Sequence, residues 1–533
     1  MVSSLNITIA FFWVLSAFID YSNLCYVWQL KWYRVDRFKD FLSTEQGKRF
    51  AFSYTIFWRS VAIFFFFLLP FDSVPTFKWI LLFFYIIDFI HTCLGLYRRK
   101  IKHPTFSLKA ILIVAVSMIV EASWLLYSRD WYVLLFALIL RFFIIAIVVF
   151  VLNTLTNLIK KYFFYRAEKK LRHFPGLTVI GITGSYGKTT VKEFLYQILS
   201  TKFKVVRTPK NVNSDIGISR FILSTDFEGV DVFIVEIGAY ARGDVQLVCD
   251  IIHPKIGILT AINAQHLSLF GSLKNIQDTK YELLRSLPRD GLAITNSDNP
   301  YCIEYIHELD CRVETFGTEE ENNPTCLITD IHTGPQGVGG TVRFRKGSEI
   351  IEGSVETHLV GEHNALNVAP CLLVASFLGM HRKENMEAVR NLKNPENMLR
   401  IYSYGSTTII DDSYNSNPDG FRAALFILSK YPSHRRRIVV TRGMLELGDL
   451  SNELHRQIGG EIAFIGDELV IITPDFIEPL TQGVGTKYNT EITIKTNPEK
   501  LVEYMKKFKS TDSVILLENR IPAVFKKELD QKM

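Results

Sequence analysis

Five apolar runs, each about the 20 residues that a helix needs to cross a bilayer, fill the first 157 residues and constrain this chain more than any other feature. They lie near 6–28, 52–71, 76–97, 108–127 and 131–157. Within hydrocarbon a helix satisfies its own backbone N–H and C=O groups, so the pattern predicts an α-helical membrane bundle. The connections predict its orientation. Lys31, Arg34, Arg37, Lys39, Lys48 and Arg49 follow the first run. Arg98, Arg99, Lys100, Lys102 and Lys109 follow the third, and Lys160, Lys161, Arg166, Lys169, Lys170 and Arg172 follow the fifth. The alternate connections, "FDSVPTF" and "SRD", contribute only Arg129. The positive-inside bias then gives five crossings, an N-terminus outside, and everything beyond residue 157 in the cytoplasm of a multi-pass protein of the inner or plasma membrane. The first run has no basic stretch before it and no small-residue cleavage site, so it reads as a crossing and not as a removable signal.

Asp20, Arg59, Asp88, His91, Glu121 and Arg141 interrupt these runs. Each costs about 2.5–3.5 kcal/mol at a helix centre on insertion scales, so each is expected to face the bundle interior or a wet cavity. Three readings follow: the arginines pair with the carboxylates, the group lines a polar groove for a lipid head group, or the span boundaries leave some of these residues at the interface.

Beyond residue 157 the composition is that of a soluble α/β protein. The net charge of +6 arises largely beside the apolar runs, which marks topology and not a nucleic-acid footprint. Seven scattered cysteines form no CxxC pair, which argues against a zinc ribbon or a disulfide scaffold and fits a reducing compartment.

"LTVIGITG" reads as a short buried strand ending in glycine, and "KTTVKEFLYQILS" has helical periodicity with Val191, Phe194, Leu195 and Leu199 on one face. A strand, a glycine turn and a helix N-terminus make an anion site, because free backbone N–H groups and the helix dipole point at the ligand. In "TGSYGKTT", residues 183–190, Gly184 and Gly187 allow close backbone approach. Lys188 is positioned to reach phosphate oxygens, and the Thr189 hydroxyl to meet Mg²⁺. The strict GxxxxGK[ST] spacing is broken by Ile182.

This loop resembles the ATP loop of the Mur ligase family, whose members join an amino acid or peptide to a carboxylate using ATP. Further motifs follow in the family's order: "VEIGAYARGDV", "TAINAQHLSLFGSLKNIQDTKYEL", "AITNSDNP", "VGEHNALNVAP", "DDSYNSNPDG" and "GMLELG". The resemblance covers residues 175–525 and is nearest to the branch that adds D-alanyl-D-alanine to UDP-muramoyl-tripeptide. It implies that Thr183, Gly184, Ser185, Gly187, Lys188, Thr189 and Thr190 hold the ATP phosphates. Thr189, Glu236, His266 and Lys280 are implied Mg²⁺ ligands, with Lys280 carbamylated so that an ammonium becomes an anionic oxygen donor. Asn296, His363, Asn364 and Asn367 match the adenine-side groups. Arg400 matches a domain-junction arginine, and Asp412, beside Asp411, meets ATP as the last domain closes. Lys188, Lys280, His266 and Glu236 are the implied catalytic set. Chemistry agrees for Glu236, since a hard cation takes oxygen ligands beside phosphates and strand C-termini face the ligand crevice of an α/β sheet.

The chain also departs from the family pattern. Ser214 stands where a second asparagine is usual after "PKNVN", and Leu399 where a glycine is usual before Arg400. Arg442 and Gly443 replace a Gly-Asp pair, and Asn519 and Arg520 replace a basic turn. These last departures cluster on the side of the incoming amine. The membrane bundle stands where soluble relatives keep a domain for a UDP-sugar.

The expected organisation is a membrane domain (1–157), a basic linker (158–174), a P-loop-type α/β central domain (175–395) and a Rossmann-like α/β C-terminal domain (396–533). The expected activity is ATP-dependent amide-bond formation through an acyl phosphate, in synthesis of a cell-envelope precursor or polymer. The partners are an amino acid or short peptide, a lipid-linked or UDP-linked carboxylate, ATP, Mg²⁺ and the membrane, and no nucleic acid. Rival readings are a conventional D-alanyl-D-alanine-adding ligase with a membrane anchor, and a transporter or receptor with a cytoplasmic ATPase domain.

Overall fold

The computed structural model describes residues 4–31, 33–43, 47–48, 50, 54–68, 74–97, 101–128, 133–265, 267–334, 337–346, 349–357, 359, 363–395, 399–413, 417–445, 447–486 and 488–530. Contacts divide the chain into two compact units, Met1–Tyr162 and Phe163–Met533.

The first unit is helical. Its principal helices are Ser4–Leu30, Tyr54–Leu68, Val74–Tyr97, Leu108–Ser128 and Val133–Leu171, with a short Val35–Ser43 between the first two. Among the described residues four of these are long and apolar enough to cross a membrane. The exception falls on the predicted run 52–71, where the helix has 15 residues and so rises about 22 Å, short of the roughly 30 Å hydrocarbon core. Residues 51–53 and 69–73 at its ends lie outside the described residues, as do Arg49, Arg98, Arg99, Lys100 and Arg129 of the charge pattern. The last apolar run and the basic segment after it form one helix, because nothing between Val133 and Leu171 breaks it: the stretch holds neither proline nor glycine.

Five of the six ionisable residues in the apolar runs meet in one network. Arg59 grips Asp88 with Nε to Oδ1 and NH2 to Oδ2, both at 2.8 Å. Its NH1 donates to Asp20 at 2.7 Å. Arg141 donates to the same Asp20 oxygen, Oδ2, at 2.8 Å and to Glu121 at 3.0 Å. Trp13 Nε1 and Tyr21 Oη complete the shell of Glu121 at 2.6 and 2.7 Å. Ser16 accepts from Arg141 at 2.8 Å and donates to Asp88 at 3.3 Å. All five principal helices contribute, and both guanidinium groups are matched by carboxylates inside the bundle. The sixth residue, His91, is half-buried one turn beyond Asp88. Of the three sequence readings, pairing has its geometry here, while neither arginine is left open toward a lipid phosphate.

The second unit holds two sheets. The larger runs β2-β3-β1-β4-β5-β6-β7-β8-β9, with β1 Thr178–Thr183, β2 Val205–Arg207, β3 Val232–Glu236, β4 Ile256–Leu259, β5 Leu292–Asn296, β6 Arg312–Gly317, β7 Cys326–Gly334, β8 Gly337–Lys346 and β9 Glu349–Glu356. Pairing is parallel from β2 to β7 and antiparallel from β7 to β9. The central strands are buried on both faces, as their unbroken Val and Ile runs require. On one face the helix Lys188–Leu199 buries Val191, Phe194, Leu195, Ile198 and Leu199. On the other, Leu283 and Leu284 of the helix Leu273–Arg285 pack beside Val179, Phe233 and Val235.

The second sheet runs β10-β11-β15-β12-β13-β14, from β10 Arg400–Tyr404, β11 Thr407–Asp412, β12 Arg436–Thr441, β13 Glu468–Ile471, β14 Glu491–Ile494 and β15 Ser513–Glu518. Only β10 is antiparallel within it. In both sheets the parallel register aligns the strand C-termini: Ile182 lies opposite Glu236 and Thr183 opposite Leu259, while Asp412 and Thr441 flank Glu518. Residues carried just past these tips share one edge.

Candidate active site

The loop between β1 and the helix Lys188–Leu199 has a backbone that side chains would not permit. Gly184 has φ +152°, and a Cβ there would lie 2.0 Å from Thr260 Oγ1. Gly187 has φ +79°, and a Cβ there would lie 2.9 Å from Asn367 Oδ1. Both positions need glycine, one for close approach to the loop after β4 and one for a left-handed turn into the helix. The turn is braced from β4: Ser185 N donates to Ala261 O at 2.7 Å, and Asn263 N donates to Ser185 Oγ at 3.0 Å. Thr183 closes β1, buried, donating to Ile237 O at 3.2 Å. The helix then starts with Lys188, Thr189 and Thr190, half-buried, with no side-chain cap on its N-terminus. Its first N–H groups are therefore available to an anion.

Four predicted residues meet around this loop. Thr189 Oγ1 donates to Glu236 Oε2 at 3.0 Å. Lys188 Nζ donates to Gly184 O at 2.6 Å and Ser185 O at 3.3 Å. Lys280, buried on the helix Leu273–Arg285, donates to the same Gly184 O at 2.9 Å. Two amines thus share one carbonyl. Burial, and then the Lys188 cation, hold the Lys280 ammonium well below the usual lysine range. Burial lowers Lys188 too, against the pull of Glu236. For Glu236, burial opposes ionisation, but the Lys192 and Lys188 cations win and hold the carboxyl below its ordinary value.

Asn364 and Asn367 share the first turns of the helix His363–Phe377, with Asn367 Nδ2 donating to Asn364 Oδ1 at 3.2 Å. Asn367 packs on the phosphate loop at Gly187. Asn296 closes β5, where its amide donates to Thr260 O at 3.2 Å and accepts from Asp298 N at 2.9 Å, bracing the strand tips. His363 begins its helix, but its side chain lies outside the described residues, as do His266, Tyr414 and Asn415.

In the second sheet Arg400 pairs with Asp411, at 3.1 Å, rather than with Asp412. Asp412 points to the other face of β11, as strand alternation demands. Burial, then the neighbouring Asp411 charge, push its carboxyl up to about 7. Asn263 of the first sheet's loop donates to Asp419 Oδ2 at 2.9 Å, at the start of the helix Pro418–Ser429 that Asn417 caps.

Three contributors, Lys192, Thr208 and Thr260, were not singled out from the sequence, and a fourth, Asn213, stands in the "PKNVN" loop that was matched to the family there. Lys192 lies 3.1 Å from Glu236 Oε2, and Asn213 Nδ2 donates to Glu236 Oε1 at 3.3 Å. Thr208 Oγ1 accepts from Glu236 N at 3.1 Å, and Thr260 Oγ1 braces Thr183 O at 3.3 Å. For Lys192 a signal existed: it stands one helical turn beyond Thr189, on the same face. Thr208 and Thr260 directly follow β2 and β4, so their partners are set by sheet order, while Asn213 reaches Glu236 from the loop between β2 and the helix Asp215–Ser224.

The donor set suits a phosphate-borne cation. Among the described residues no three His, Cys, Asp or Glu side chains converge as a metal cage. Mg²⁺, however, is ordinarily held through one or two carboxylates with phosphate oxygens and water. Glu236 beside the Thr189 hydroxyl, at the mouth of the phosphate loop, fits that pattern.

Comparison with known proteins gives consistent results. Residues 182–375 match the Mur ligase middle domain, and residues 398–517 match the Mur ligase, glutamate ligase domain. The chain is 28% identical over 289 residues to the UDP-N-acetylmuramoyl-tripeptide--D-alanyl-D-alanine ligase of Bacillus subtilis, covering 54% of this chain and 61% of that protein. It is 31% identical over 317 residues to the Synechocystis protein of the same name, covering 59% and 65%. It therefore spans just over three-fifths of the length of these relatives. Among solved structures, MurF from Acinetobacter baumannii superposes with a TM-score of 0.61 at 23% identity, over 69% of this chain and 79% of the other. MurF ligase from Thermotoga maritima in complex with ADP gives 0.59 at 26%, over 70% and 85%.

Proposed function

The chain belongs to the Mur ligase family, and on that premise we propose that it is a membrane-bound, ATP-dependent amide ligase acting in cell-envelope precursor synthesis. The observation that carries this reading is the convergence of Lys188, Thr189, Glu236 and Lys280 on a glycine loop shaped for phosphate. A bare ATPase needs no buried, deprotonation-prone lysine beside that loop.

Substrate carboxylate and ATP yield an acyl phosphate and ADP, and attack by an amine then forms the amide and releases phosphate. Bound Mg²⁺ supplies charge neutralisation on phosphate oxygens. The loop N–H groups fix the phosphates, and Lys188 leaves the Gly184 carbonyl to meet developing negative charge, so catalysis is chiefly positioning and electrostatics. Thr189, Glu236, His266 and Lys280 are the proposed metal ligands. Asn296, His363, Asn364 and Asn367 form the proposed adenine side. Asp412 and Arg400 join from the last domain as it closes over ATP.

Lys280 has a distinct part. Held as a neutral amine, it can form an N–C bond with CO₂, losing its proton to solvent and becoming an anionic oxygen donor. Lys280→Ala is expected to lose most activity and to regain part of it with added short carboxylic acids, which supply the missing oxygens. Measuring initial rates with and without formate or acetate checks this, and a variant near the wild-type rate removes Lys280 from the reaction.

The names of the relatives support D-alanyl-D-alanine as the amine and a UDP-linked muramoyl tripeptide as the carboxylate. Residues 1–157 form the membrane domain, 158–174 a basic linker, 175–395 the ATP-binding domain and 396–533 the C-terminal domain. The N-terminus is outside and both ligase domains are cytoplasmic. The closed Arg59–Asp20–Arg141 network favours an anchor over a lipid head-group site, so a lipid-linked carboxylate is the second reading. Purified full-length protein, given ATP, Mg²⁺ and each candidate pair, is expected to release phosphate only when the amine is present and to form an adduct with the mass of the two substrates less water. Amine-independent release without an adduct overturns the ligase reading. Faster ligation of the lipid-linked carboxylate overturns the anchor reading.

A further inference from the structure

Lys192 is fully buried beside the proposed metal ligand. Its Nζ lies 3.1 Å from Glu236 Oε2 and 3.6 Å from Glu193 Oε1. The same Glu236 oxygen accepts from Thr189, and the other from Asn213. A buried ammonium persists only beside a carboxylate that compensates it. A divalent cation bound at Glu236 therefore competes with a cation tethered next to it.

Glu193 makes that competition reversible. It is held from the outside by Arg207, with Nε and NH2 each 3.1 Å away. When a metal withdraws charge from Glu236, Lys192 still faces a second carboxylate and is not left alone in the interior. A free divalent cation brings nothing to offset the repulsion between itself and Lys192. One arriving with a triphosphate brings several anionic oxygens.

We propose that Lys192 makes divalent-metal capture conditional on nucleotide: it occupies Glu236 in the ATP-free protein and yields that carboxylate only to a metal delivered with ATP. The idea rests on the reading of Glu236 as a metal ligand. Lys192 is a positioning residue in this scheme, since it acts through Glu236.

The test is Mn²⁺ binding without turnover, followed by electron paramagnetic resonance on full-length protein in detergent, with and without a non-hydrolysable ATP analogue. Without nucleotide, Lys192→Met and Lys192→Gln are expected to bind Mn²⁺ about tenfold more tightly than wild type, because a unit charge close to the ligand is gone. Lys192→Arg keeps the charge and is expected to match wild type. A merely structural role predicts weaker binding in the Met and Gln variants, with or without the analogue. If those two bind nucleotide-free Mn²⁺ no more tightly than wild type, while all variants bind it with the analogue, the proposal fails and the metal reading stands. If Glu236→Gln binds Mn²⁺ with the analogue as well as wild type does, the metal reading fails and takes the proposal with it.

Discussion

Lys188→Ala is expected to lower ATP turnover by at least about 10²–10³-fold, the effect of removing one preorganised donor from a developing charge, in a protein that still folds. The folding half of that expectation comes from packing. Lys188 is half-buried, and its amine donates only to the loop carbonyls of Gly184 and Ser185. The helix it begins is held by Val191, Phe194, Leu195, Ile198 and Leu199, none of which the substitution touches. The catalytic half comes from charge: the loop offers backbone N–H groups, but Lys188 adds a full positive charge at its mouth. Phosphate release measured beside the thermal unfolding curve separates the two. A well-folded variant with full turnover sinks the assignment of the loop.

Arg141→Met is expected to cost the helical first unit about 3–5 kcal/mol, the usual effect of removing one partner of a buried ion pair. Wild type balances Asp20, Asp88 and Glu121 against Arg59 and Arg141. Without Arg141, Glu121 keeps Trp13 and Tyr21 and Asp20 keeps Arg59 as partners among the described residues. Three buried carboxylates then face the single Arg59 guanidinium, an excess of two where wild type has an excess of one. Adding Glu121→Gln restores the wild-type charge difference and is expected to recover much of the loss, although each single change removes contacts. Unfolding temperature and monodisperse yield in detergent report the outcome. An Arg141→Met protein as stable as wild type means that the network does not hold the bundle together.

Much of the candidate site was legible before any coordinates. Gly184, Gly187, Lys188 and Thr189 are close in sequence, and a strand–loop–helix unit brings them together by local geometry alone. Glu236 was legible for a related reason: it ends a continuous apolar strand, and strand ends in a parallel sheet face one edge. The apolar runs were legible because span length follows from bilayer thickness, whatever the helices pack against.

What the sequence could not decide is partnership across long separations. It presented six charged or ionisable residues in the apolar runs and left both pairing and a head-group groove open. Helix packing decided it, bringing Asp20 between Arg59 and Arg141, residues 39 and 121 positions away. It presented Lys280 as a resemblance, while the Gly184 carbonyl that it shares with Lys188 is reached only because helices on opposite faces of the sheet both extend to the loop after β1. It presented adjacent Asp411 and Asp412 with one arginine, and the antiparallel register of β10 against β11 gave that arginine to Asp411. Local propensity and hydrophobic period fix which elements form and which end of a strand carries chemistry. Which charge neutralises which depends on distances that only close packing of distant segments sets.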